Sequence, residues 1–492
     1  MRNSSCFISG ALIVAILVAI AIATNVGNFA CRYFQIGCAP TPSPPTYPIR
    51  SYDFSYGKGS NDFVTIRYQS GEFIVNMPNN GDSMRLKAQL DSLGLRQKEI
   101  CPCSNLLQLW GYVTLAPDND APPPPPRPGG GNGSVSPNYL LFKVNDKSFE
   151  FMPSTLPLNG NRFPQPSNPS DTVIIGIDDT GVRLSDQQAN ASTFLFRNIG
   201  NPFICNSDWL REGIYGMNVW NIANRRNTPI SSEPNDQDGH GTFITGVLSG
   251  EAVLPNNLPD NNYIGSPNSV ALQFLHAKFV QDRHTDAKLY DALCGVHYAL
   301  NKGAKVINVS WGATAVGNPD TLLGAFLPTL QAVHDKNALL VASSGNDNLK
   351  FRTADGIRIF PAALSEDIDF RHHVICVGAW NVGIDSIPVF SNEDSYVNIY
   401  APGVNITSTF ITNSQYPEGK SLGSGTSYAT PYVVRIAAIL HGLHPCESWE
   451  NIKQVIINNS DERIYQNQNI RLLNVPSIMR ARSSLRICNT QQ

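Results

Sequence analysis

From about residue 170 onwards, short apolar runs alternate with stretches of helical periodicity, and this pattern limits the fold more than any other feature. The runs are continuous in Val, Ile, Leu and Ala, which is typical of strands covered on both faces. They are Val173–Ile177, Val270–Phe279, Lys305–Val309, Ala338–Ala342 and Val374–Val377. Between the second and the third, Asp286–Asn301 places its apolar side chains on one helical face. We therefore predict an α/β fold in three layers, with a mostly parallel sheet and helices on both faces.

Composition argues against a nucleic-acid partner. The chain has 36 basic and 39 acidic side chains, for a formal net charge of -3, so no overall charge attracts it to a polyanion. Hydrophobic residues make up 42% of the 492 residues, enough for a sizeable core. We predict a folded protein that does not bind nucleic acid.

The N-terminus predicts export. The apolar segment Phe7–Ala23 carries no charge and follows Arg2, so residues 1–24 are either a cleaved signal peptide or an uncleaved signal anchor. In both cases the rest of the chain lies outside the cytoplasm, secreted or tethered to the membrane through residues 7–23. The ten cysteines fit export without forming a dense disulfide framework. Among them, Cys376 is expected in the core, and a pairing of Cys446 with Cys488 is our guess.

Proline-rich stretches divide the exported part. Residues 25–50 are predicted as a spacer, and residues 119–138 as a Pro/Gly-rich linker whose alternative role is to bind a proline-recognising partner. Residues 51–118, between them, read as a small α+β unit, and residues 139–492 as the large domain. Within the small unit we expect strands at Phe63–Tyr68, Glu72–Met77 and Leu106–Val113 around a helix at Ser83–Leu93.

Three polar motifs fall at the carboxyl ends of predicted strands or at helix starts, where such sheets bind their ligands. They are Ile177–Gly181, Asp238–Thr242 and Gly425–Pro431. The first two are weak by themselves, because Asp-Thr-Gly is a common turn and a His before Gly is often a solvated loop residue. Acyl transfer to a serine needs a base beside the hydroxyl and an anion beside the base. Asp179, His240 and Ser427 supply these three groups.

Two further features complete the predicted chemistry. Asn346 follows the run at Ala338–Ala342 and offers a neutral amide for a developing oxyanion, with the backbone N–H of Ser427 as a second donor. Asp178 is the rival acid. We prefer Asp179, because it directly precedes Thr180 and because alternation along a strand turns Asp178 to the opposite side.

With these motifs in the order Asp, His, Ser, residues 170–460 resemble the subtilisin-like serine proteases, the subtilase or peptidase S8 family. The resemblance implies a serine endopeptidase with Ser427 as nucleophile, His240 as general base, Asp179 as its orienting acid and Asn346 as oxyanion donor. Val306–Gly312 resembles the family's substrate-backbone strand, and Phe360–Ala362 its pocket wall. The implied substrate-binding residues are Ser310, Trp311, Gly312, Ser344 and Gly345.

The chain also departs from the family pattern. Phe243 stands where the family usually has a second His, and Tyr428 replaces a common Met after the nucleophile. We expect both to alter packing near the site. With Ile359 beside the implied primary pocket and no charge in Ser310–Gly312, we expect an apolar or unselective substrate preference.

The resemblance carries two further expectations. The unit at 51–118 is similar to a subtilase pro-region, which assists folding and inhibits the enzyme; the alternative is a stalk without an inhibitory role. No cofactor or catalytic metal is expected. Calcium is a candidate structural ion at Asp260–Asn262, although ordinary turn chemistry explains those residues better.

Two alternatives to hydrolysis stay open in the sequence. One is a catalytically silent subtilase fold that acts as a surface-binding module, against which the complete set of catalytic residues argues. The other is transfer of the acyl group to an amine instead of water, because both reactions share the acyl-enzyme.

Overall fold

The computed structural model describes residues 49–55, 63–78, 82–112, 134–139, 141, 152–154, 158, 172–183, 195–196, 205–208, 210–222, 231–255, 270–282, 287–316, 320–349 and 356–486. Several predictions lie outside these residues: the apolar segment Phe7–Ala23, most of both proline-rich stretches, the Asp260–Asn262 loop and Cys488. No helix within the described ranges combines the length and apolar character that a bilayer crossing requires.

The N-terminal unit is an antiparallel sheet with one helix among its described residues. Its elements are β1 (Ile49–Ser55), β2 (Phe63–Asn76), α1 (Asp82–Ser92), β3 (Leu95–Cys101), β4 (Ser104–Tyr112) and β5 (Ser134–Tyr139). The long strand β2 pairs with β1, β4 and β5, and β4 also pairs with β3. Buried Leu86 and Leu90 of α1 lie in one apolar cluster with side chains of β2, β3, β4 and β5.

This unit differs from the sequence prediction in two places. The two strands expected on either side of residue 70 are one strand, β2, which continues through a register shift between Gln69 and Phe73 because Gly71 adopts a positive φ. The stretch predicted as a linker at 119–138 ends in strand β5. Its Ser, Gly and Pro composition indicated a linker, but the edge of β2 accepts Ser134–Tyr139 as a partner.

The large sheet contains nine of the described strands in the order β18-β19-β15-β14-β12-β10-β7-β9-β8. Neighbouring strands are parallel except for the β18–β19 hairpin, so the α/β prediction is confirmed. The strands are β7 (Thr172–Asp179), β8 (Gly216–Asn218), β9 (Ala271–Lys278), β10 (Val306–Val309), β12 (Leu339–Ser343), β14 (Val374–Trp380), β15 (Ile399–Pro402), β18 (Asp461–Tyr465) and β19 (Gln468–Leu472).

Helices cover both faces of this sheet. They are α2 (His240–Ser249), α3 (Leu289–Asn301), α4 (Asp320–Asp335), α5 (Thr426–Leu443), α6 (Trp449–Asn458) and α7 (Val475–Ala481), with short 3-10 turns at Ala362–Ser365, Arg371–His373 and Arg482–Ser484. Two small sheets complete the described elements, β11 (Ala313–Val316) with β13 (Ile357–Phe360), and β6 (Met152–Pro153) with β16 (Ile406–Thr409) and β17 (Lys420–Gly423).

Alternate residues of the central strands enter two separate apolar clusters. Val306, for example, packs with α2, α5 and α6, whereas its neighbour Ile307 packs with α3 and α4. Because successive side chains of a strand point to opposite faces, these two clusters lie on the two sides of the sheet. The sheet is therefore the middle of three layers.

The N-terminal sheet is fastened to the α3 face by covalent and polar contacts. Disulfides join Cys101 to Cys294 of α3, and Cys103 to Cys205. Buried Glu72 of β2 accepts hydrogen bonds from Lys98 at 2.6 Å and from Lys288 at 3.2 Å. Residues 47–492 accordingly form one compact unit. Of the other cysteines, Cys376 is a buried free thiol and Cys446 is disulfide-bonded.

Candidate active site

The carboxyl end of β7 places Asp179 against the start of α2. Asp179 Oδ1 lies 2.8 Å from His240 Nδ1, and both side chains are almost fully buried. The same carboxylate oxygen accepts the Thr180 N–H at 2.7 Å. Glycine is required for this close approach, since a Cβ on Gly241 would lie 2.1 Å from the Gly181 carbonyl oxygen. The two weakest sequence motifs are thus neighbours in space.

The loop that carries His240 is organised by Asp236, which the sequence analysis did not single out. Asp236 Oδ1 accepts the N–H groups of Asp238 and Gly239, while Oδ2 accepts the N–H and the hydroxyl of Thr242. Complete burial raises the pKa of the Asp236 carboxyl above its ordinary value. The signal was present in the sequence, because an Asp that accepts amides two and three residues ahead is a common turn and helix-start device.

Lys278 is a second supporting residue that the sequence analysis missed. Its buried ammonium group donates to the carbonyl oxygens of Thr180, Asn235 and Gln281, at 2.8, 3.0 and 3.2 Å. Desolvation lowers its pKa from the ordinary lysine value. One side chain from β9 thereby ties the turn after Asp179 to the loop before His240.

Ser427 lies in the first turn of α5 and contacts the chain that follows β10. Its Oγ donates to the Ser310 carbonyl oxygen at 3.3 Å, and the Ser310 hydroxyl donates back to the Ser427 carbonyl oxygen at 3.0 Å. The next residue, Tyr428, places its ring 5.4 Å from the His240 ring, centroid to centroid. The starts of α5 and α2 therefore lie side by side, with the serine and the imidazole on adjoining turns.

Asn346 lies opposite the same helix start. Its side-chain oxygen accepts the Thr426 N–H at 2.9 Å and the Thr426 hydroxyl at 2.8 Å. The Asn346 amide nitrogen lies 3.7 Å from where a Cβ on Gly425 would lie. The amide nitrogen thus approaches the backbone just before Ser427, where an oxyanion donor is needed.

The loop that carries Asn346 is held by Asn392. The Asn392 amide donates to the Ser344 carbonyl oxygen at 2.9 Å, and its oxygen accepts the N–H of Asp347 and of Leu349. Gly345 has a φ of 99°. A Cβ there would lie 2.4 Å from the Asn392 amide, so only glycine fits. Ser344 and Gly345 are thus a tightly built turn beside the site.

Trp311 and Gly312 continue from Ser310 along the chain between β10 and β11. The Trp311 ring is buried against Phe279 and Phe326, at centroid distances of 5.7 and 6.3 Å. The indole N–H donates to Asp178 Oδ2 at 3.0 Å. The two consecutive carboxyls of β7 therefore have different partners, His240 for Asp179 and Trp311 for Asp178.

The two departures from the family pattern contact each other. The Phe243 and Tyr428 rings lie 4.4 Å apart, centroid to centroid, and both are buried. A Cβ on Gly423 would lie about equally close to both rings. These two substitutions therefore fill one space between α2 and α5. Ile359 is buried with Ile357 and Leu349 in a separate small cluster.

A mostly parallel sheet whose carboxyl edge brings an acid, an imidazole and a serine hydroxyl beside an amide is the arrangement of the subtilisin-like class. The chain belongs to the subtilase family, whose model matches residues 170–474, more than half of the sequence.

Curated relatives of this chain are proteases by name. It is 31% identical to the thermostable alkaline protease of Halalkalibacterium halodurans over 229 residues, 46% of this chain and 54% of the relative. Over 230 residues, again 46% of this chain, it is 27% identical to the minor extracellular protease Epr of Bacillus subtilis, covering 30% of that protein. This chain thus spans about half or less of these relatives' length.

Solved structures give a more distant match. The nisin leader peptidase NisP from Lactococcus lactis is 19% identical, with a TM-score of 0.46, over 65% of this chain and 89% of that one.

Proposed function

We propose that this chain is an exported serine endopeptidase that forms an acyl-enzyme on Ser427. The Ser427 Oγ attacks the carbonyl carbon of a peptide bond while His240 takes its proton. The buried Asp179 carboxylate holds the imidazole through Nδ1 and stabilises its positive charge. His240 then gives the proton to the leaving amine, and water releases the acyl group by the same steps in reverse.

The contact that supports this proposal most strongly is that between Asp179 Oδ1 and His240 Nδ1, at 2.8 Å in a buried setting. A hydrogen bond to Nδ1 leaves Nε2 as the nitrogen that exchanges a proton with the nucleophile. The Asn346 amide and the Ser427 N–H are the proposed oxyanion donors. Ser310–Gly312 is the proposed edge for pairing with the backbone of a polypeptide substrate, with Ser344 and Gly345 on the opposite wall.

The test is labelling with a fluorophosphonate, which reacts only with an activated serine. The native protein should be labelled, whereas Ser427→Ala should not, and His240→Ala should be labelled far more slowly because the hydroxyl loses its base. Ser249→Ala is the matched control, since it removes another buried hydroxyl from the last turn of α2. Equal labelling of the native protein and Ser427→Ala would refute the proposal.

Two alternatives are decided by related measurements. A catalytically silent binding module would show no labelling of the native protein at all. Transfer to an amine would appear when a peptide is cleaved in the presence of glycinamide: mass spectrometry would find the amide product instead of the free carboxylate.

Export is also part of the proposal. It is supported by the sequence of Phe7–Ala23 and by the disulfides of the described residues, which form in oxidising compartments. N-terminal sequencing of the protein from the medium and from membranes would identify the mature start. Recovery of a full-length chain from the cytoplasm alone would contradict export.

We further propose that the N-terminal unit partly inhibits the enzyme from within the same chain, so that its activity is lowered but measurable, and that the unit stays attached. The docking of this unit on α3 and α4 supports the proposal. After β5, the Leu141 N–H donates to the Ala287 carbonyl oxygen at 2.9 Å, just before α3. The disulfides Cys101–Cys294 and Cys103–Cys205 would hold the unit in place even after the backbone is cut.

A chain with a site-specific protease sequence inserted between residues 142 and 151 tests this. After the cut, the disulfide-bonded protein should remain one species on a non-reducing gel and stay inhibited. The same cut in a variant with Cys101, Cys103, Cys205 and Cys294 all replaced by Ser should release the unit and raise the activity. Equal activity before and after release would refute inhibition and favour a stalk.

A further inference from the structure

Asp178 is a buried carboxyl that the proposed chemistry does not use. It directly precedes Asp179 in β7 and is 0% exposed. Its Oδ2 accepts the Trp311 indole N–H at 3.0 Å, and its Oδ1 has no hydrogen-bond partner among the described residues. An unpartnered buried oxygen costs folding free energy, so this residue opposes stability at the place where it lies.

The surroundings are shaped to hold this carboxyl. A Cβ on Gly295 of α3 would lie 2.1 Å from Asp178 Oδ1, so the helix can pack here only because it carries a glycine. Burial raises the pKa of the Asp178 carboxyl well above its ordinary value, and the charge of Asp179 acts in the same direction. The carboxyl serves as the hydrogen-bond acceptor for the Trp311 indole N–H.

The hydrogen bond connects the two chain segments that carry the site. Trp311 follows Ser310, whose carbonyl oxygen accepts the Ser427 hydroxyl. The Trp311 ring also packs against Phe279, and the Phe279 N–H donates to the Asp179 carbonyl oxygen at 3.1 Å. The indole has one orientation, because its N–H is fixed by a hydrogen bond, Phe279 meets it in an edge contact and Phe326 stacks with it. The indole thereby fixes the backbone conformation of Ser310–Gly312, the segment proposed to pair with the substrate backbone.

We propose that Asp178 is a positioning residue: through the Trp311 indole, it holds Ser310–Gly312 in the course that an extended peptide needs for pairing. This inference rests on the proposed function and names a determinant of substrate length in the same site. The Asp178–Trp311 hydrogen bond therefore supports substrate binding. Activation of Ser427 depends on the Asp179–His240 contact and not on Asp178.

The test compares a tetrapeptide anilide with N-acetyl-phenylalanine methyl ester, a substrate too short to pair along Ser310–Gly312. Asp178→Val should lower kcat/KM for the tetrapeptide about 10-fold, mainly through KM, because orientation of the bound chain is lost. The ester reaction and fluorophosphonate labelling should change less than about 2-fold by the same reasoning. Asp178→Asn keeps a side-chain oxygen that can accept the Trp311 indole N–H, so it should restore most of the tetrapeptide activity.

Three controls separate positioning from a structural role. The pair Asp178→Val with Trp311→Phe removes both hydrogen-bonding partners, so its loss should be no larger than that of Asp178→Val alone. Its thermal midpoint should fall only by the cavity term of Trp311→Phe, because no buried polar group is orphaned. Trp449→Phe deletes another buried indole bond, to the Asn337 carbonyl oxygen, and should lower the midpoint without changing the ratio of the two substrates.

Equal loss of ester and tetrapeptide activity in Asp178→Val, or no loss of either, would overturn the inference. Binding of the same tetrapeptide to Ser427→Ala gives a readout that does not need turnover. Adding Asp178→Val to that background should weaken binding about 10-fold, and unchanged binding would also overturn it. Failure of the proposed function would appear differently, as a native protein that the fluorophosphonate does not label.

Discussion

Asp178 and Asp179 show how much the position of a side chain decides its chemistry. The two carboxyls are consecutive, yet one meets an imidazole at 2.8 Å and the other an indole N–H at 3.0 Å. Alternation along β7 separates them, as the sequence pattern predicted. Asn346 also has its two side-chain atoms in different roles: its oxygen accepts the Thr426 N–H and hydroxyl, and its amide nitrogen is the proposed oxyanion donor.

We predict that Asn346→Ala lowers kcat with little change in KM, since an oxyanion donor acts on the transition state more than on the bound substrate. The expected loss is about 100–1,000-fold, the range known for removal of one such donor in subtilisin. Steady-state kinetics on the tetrapeptide anilide would measure it. A raised KM with an unchanged kcat would assign Asn346 to substrate binding instead.

Asp291 provides a prediction about pH. Burial in α3 raises the pKa of its carboxyl to about 7, although Lys288 and the Asn221 N–H, which donates at 2.8 Å, act in the opposite direction. A raised folded-state pKa adds stability that is complete below the unfolded value near 3.8 and is lost as the pH rises through 7. The Asp291→Asn variant should therefore have the same urea midpoint as the native protein at pH 4 and a higher urea midpoint than the native protein at pH 8.

Urea unfolding at the two pH values checks this, with Asp461→Asn as a control for the loss of a carboxyl at an exposed position. The expected gain at pH 8 is on the order of 4 kcal/mol, at 1.36 kcal/mol for each pH unit. An equal effect of Asp291→Asn at both pH values would show that the carboxyl is not titrating between them.

The first turn of α2 and the turn after β7 approach each other closely through their backbones. Gly241 lies in the first turn of α2, and a Cβ there would come within 2.1 Å of the Gly181 carbonyl oxygen. The absence of a Cβ at Gly241 lets the start of α2 come close enough for the Asp179–His240 hydrogen bond. Helix propensity favours a residue such as alanine at this position, whereas the close approach of the helix to Gly181 requires glycine.

We predict that Gly241→Ala reduces kcat/KM about 10-fold or more, because α2 must move away from β7 and carry His240 with it. On propensity alone, the change would stabilise a helix by about 1 kcal/mol. Ser249→Ala in the same helix is the control for propensity, and it should leave activity unchanged. Native activity in Gly241→Ala would show that the helix can shift without cost.

The central strands and the three polar motifs could be recognised in the sequence because their signals are local. Continuous apolar runs such as Val374–Val377 mark doubly covered strands, and the Asp, His and Ser motifs are short. Strand β5 could not be predicted, since Ser134–Tyr139 becomes a strand only by pairing with β2. The contacts of Lys278 with Thr180 and Asn235 also join segments far apart in sequence, and no local pattern encodes them.

Across the molecule as a whole, the N-terminal sheet and the α3 face share one core. Ile74, Leu107 and Leu109 of that sheet lie in the same apolar cluster as Leu293 and Phe326 of the helices. The cross-links add to this by closing long loops: Cys101 and Cys294 are 193 residues apart, and Cys103 and Cys205 are 102 apart. Covalent closure of such loops lowers the conformational entropy of the unfolded chain and so stabilises the folded protein.

We predict that replacing Cys101 and Cys294 by Ser lowers the free energy of unfolding by about 2–5 kcal/mol. Thermal or urea unfolding under non-reducing conditions would measure the difference. Cys376→Ala is the control, because it removes a buried sulfur that closes no loop and should cost only a cavity term. A double variant as stable as the native protein would show that the cross-link adds nothing to the shared core.

The two cross-links also bear on how often the protein can recover from denaturation. A protease that discards its N-terminal segment loses any template that the segment provided during folding. Here both parts would remain on one covalent framework, so the template would be present at high local concentration whenever the chain is renatured. The oxidised protein should regain activity through repeated cycles of heating and cooling, whereas a reduced and cut sample should regain progressively less.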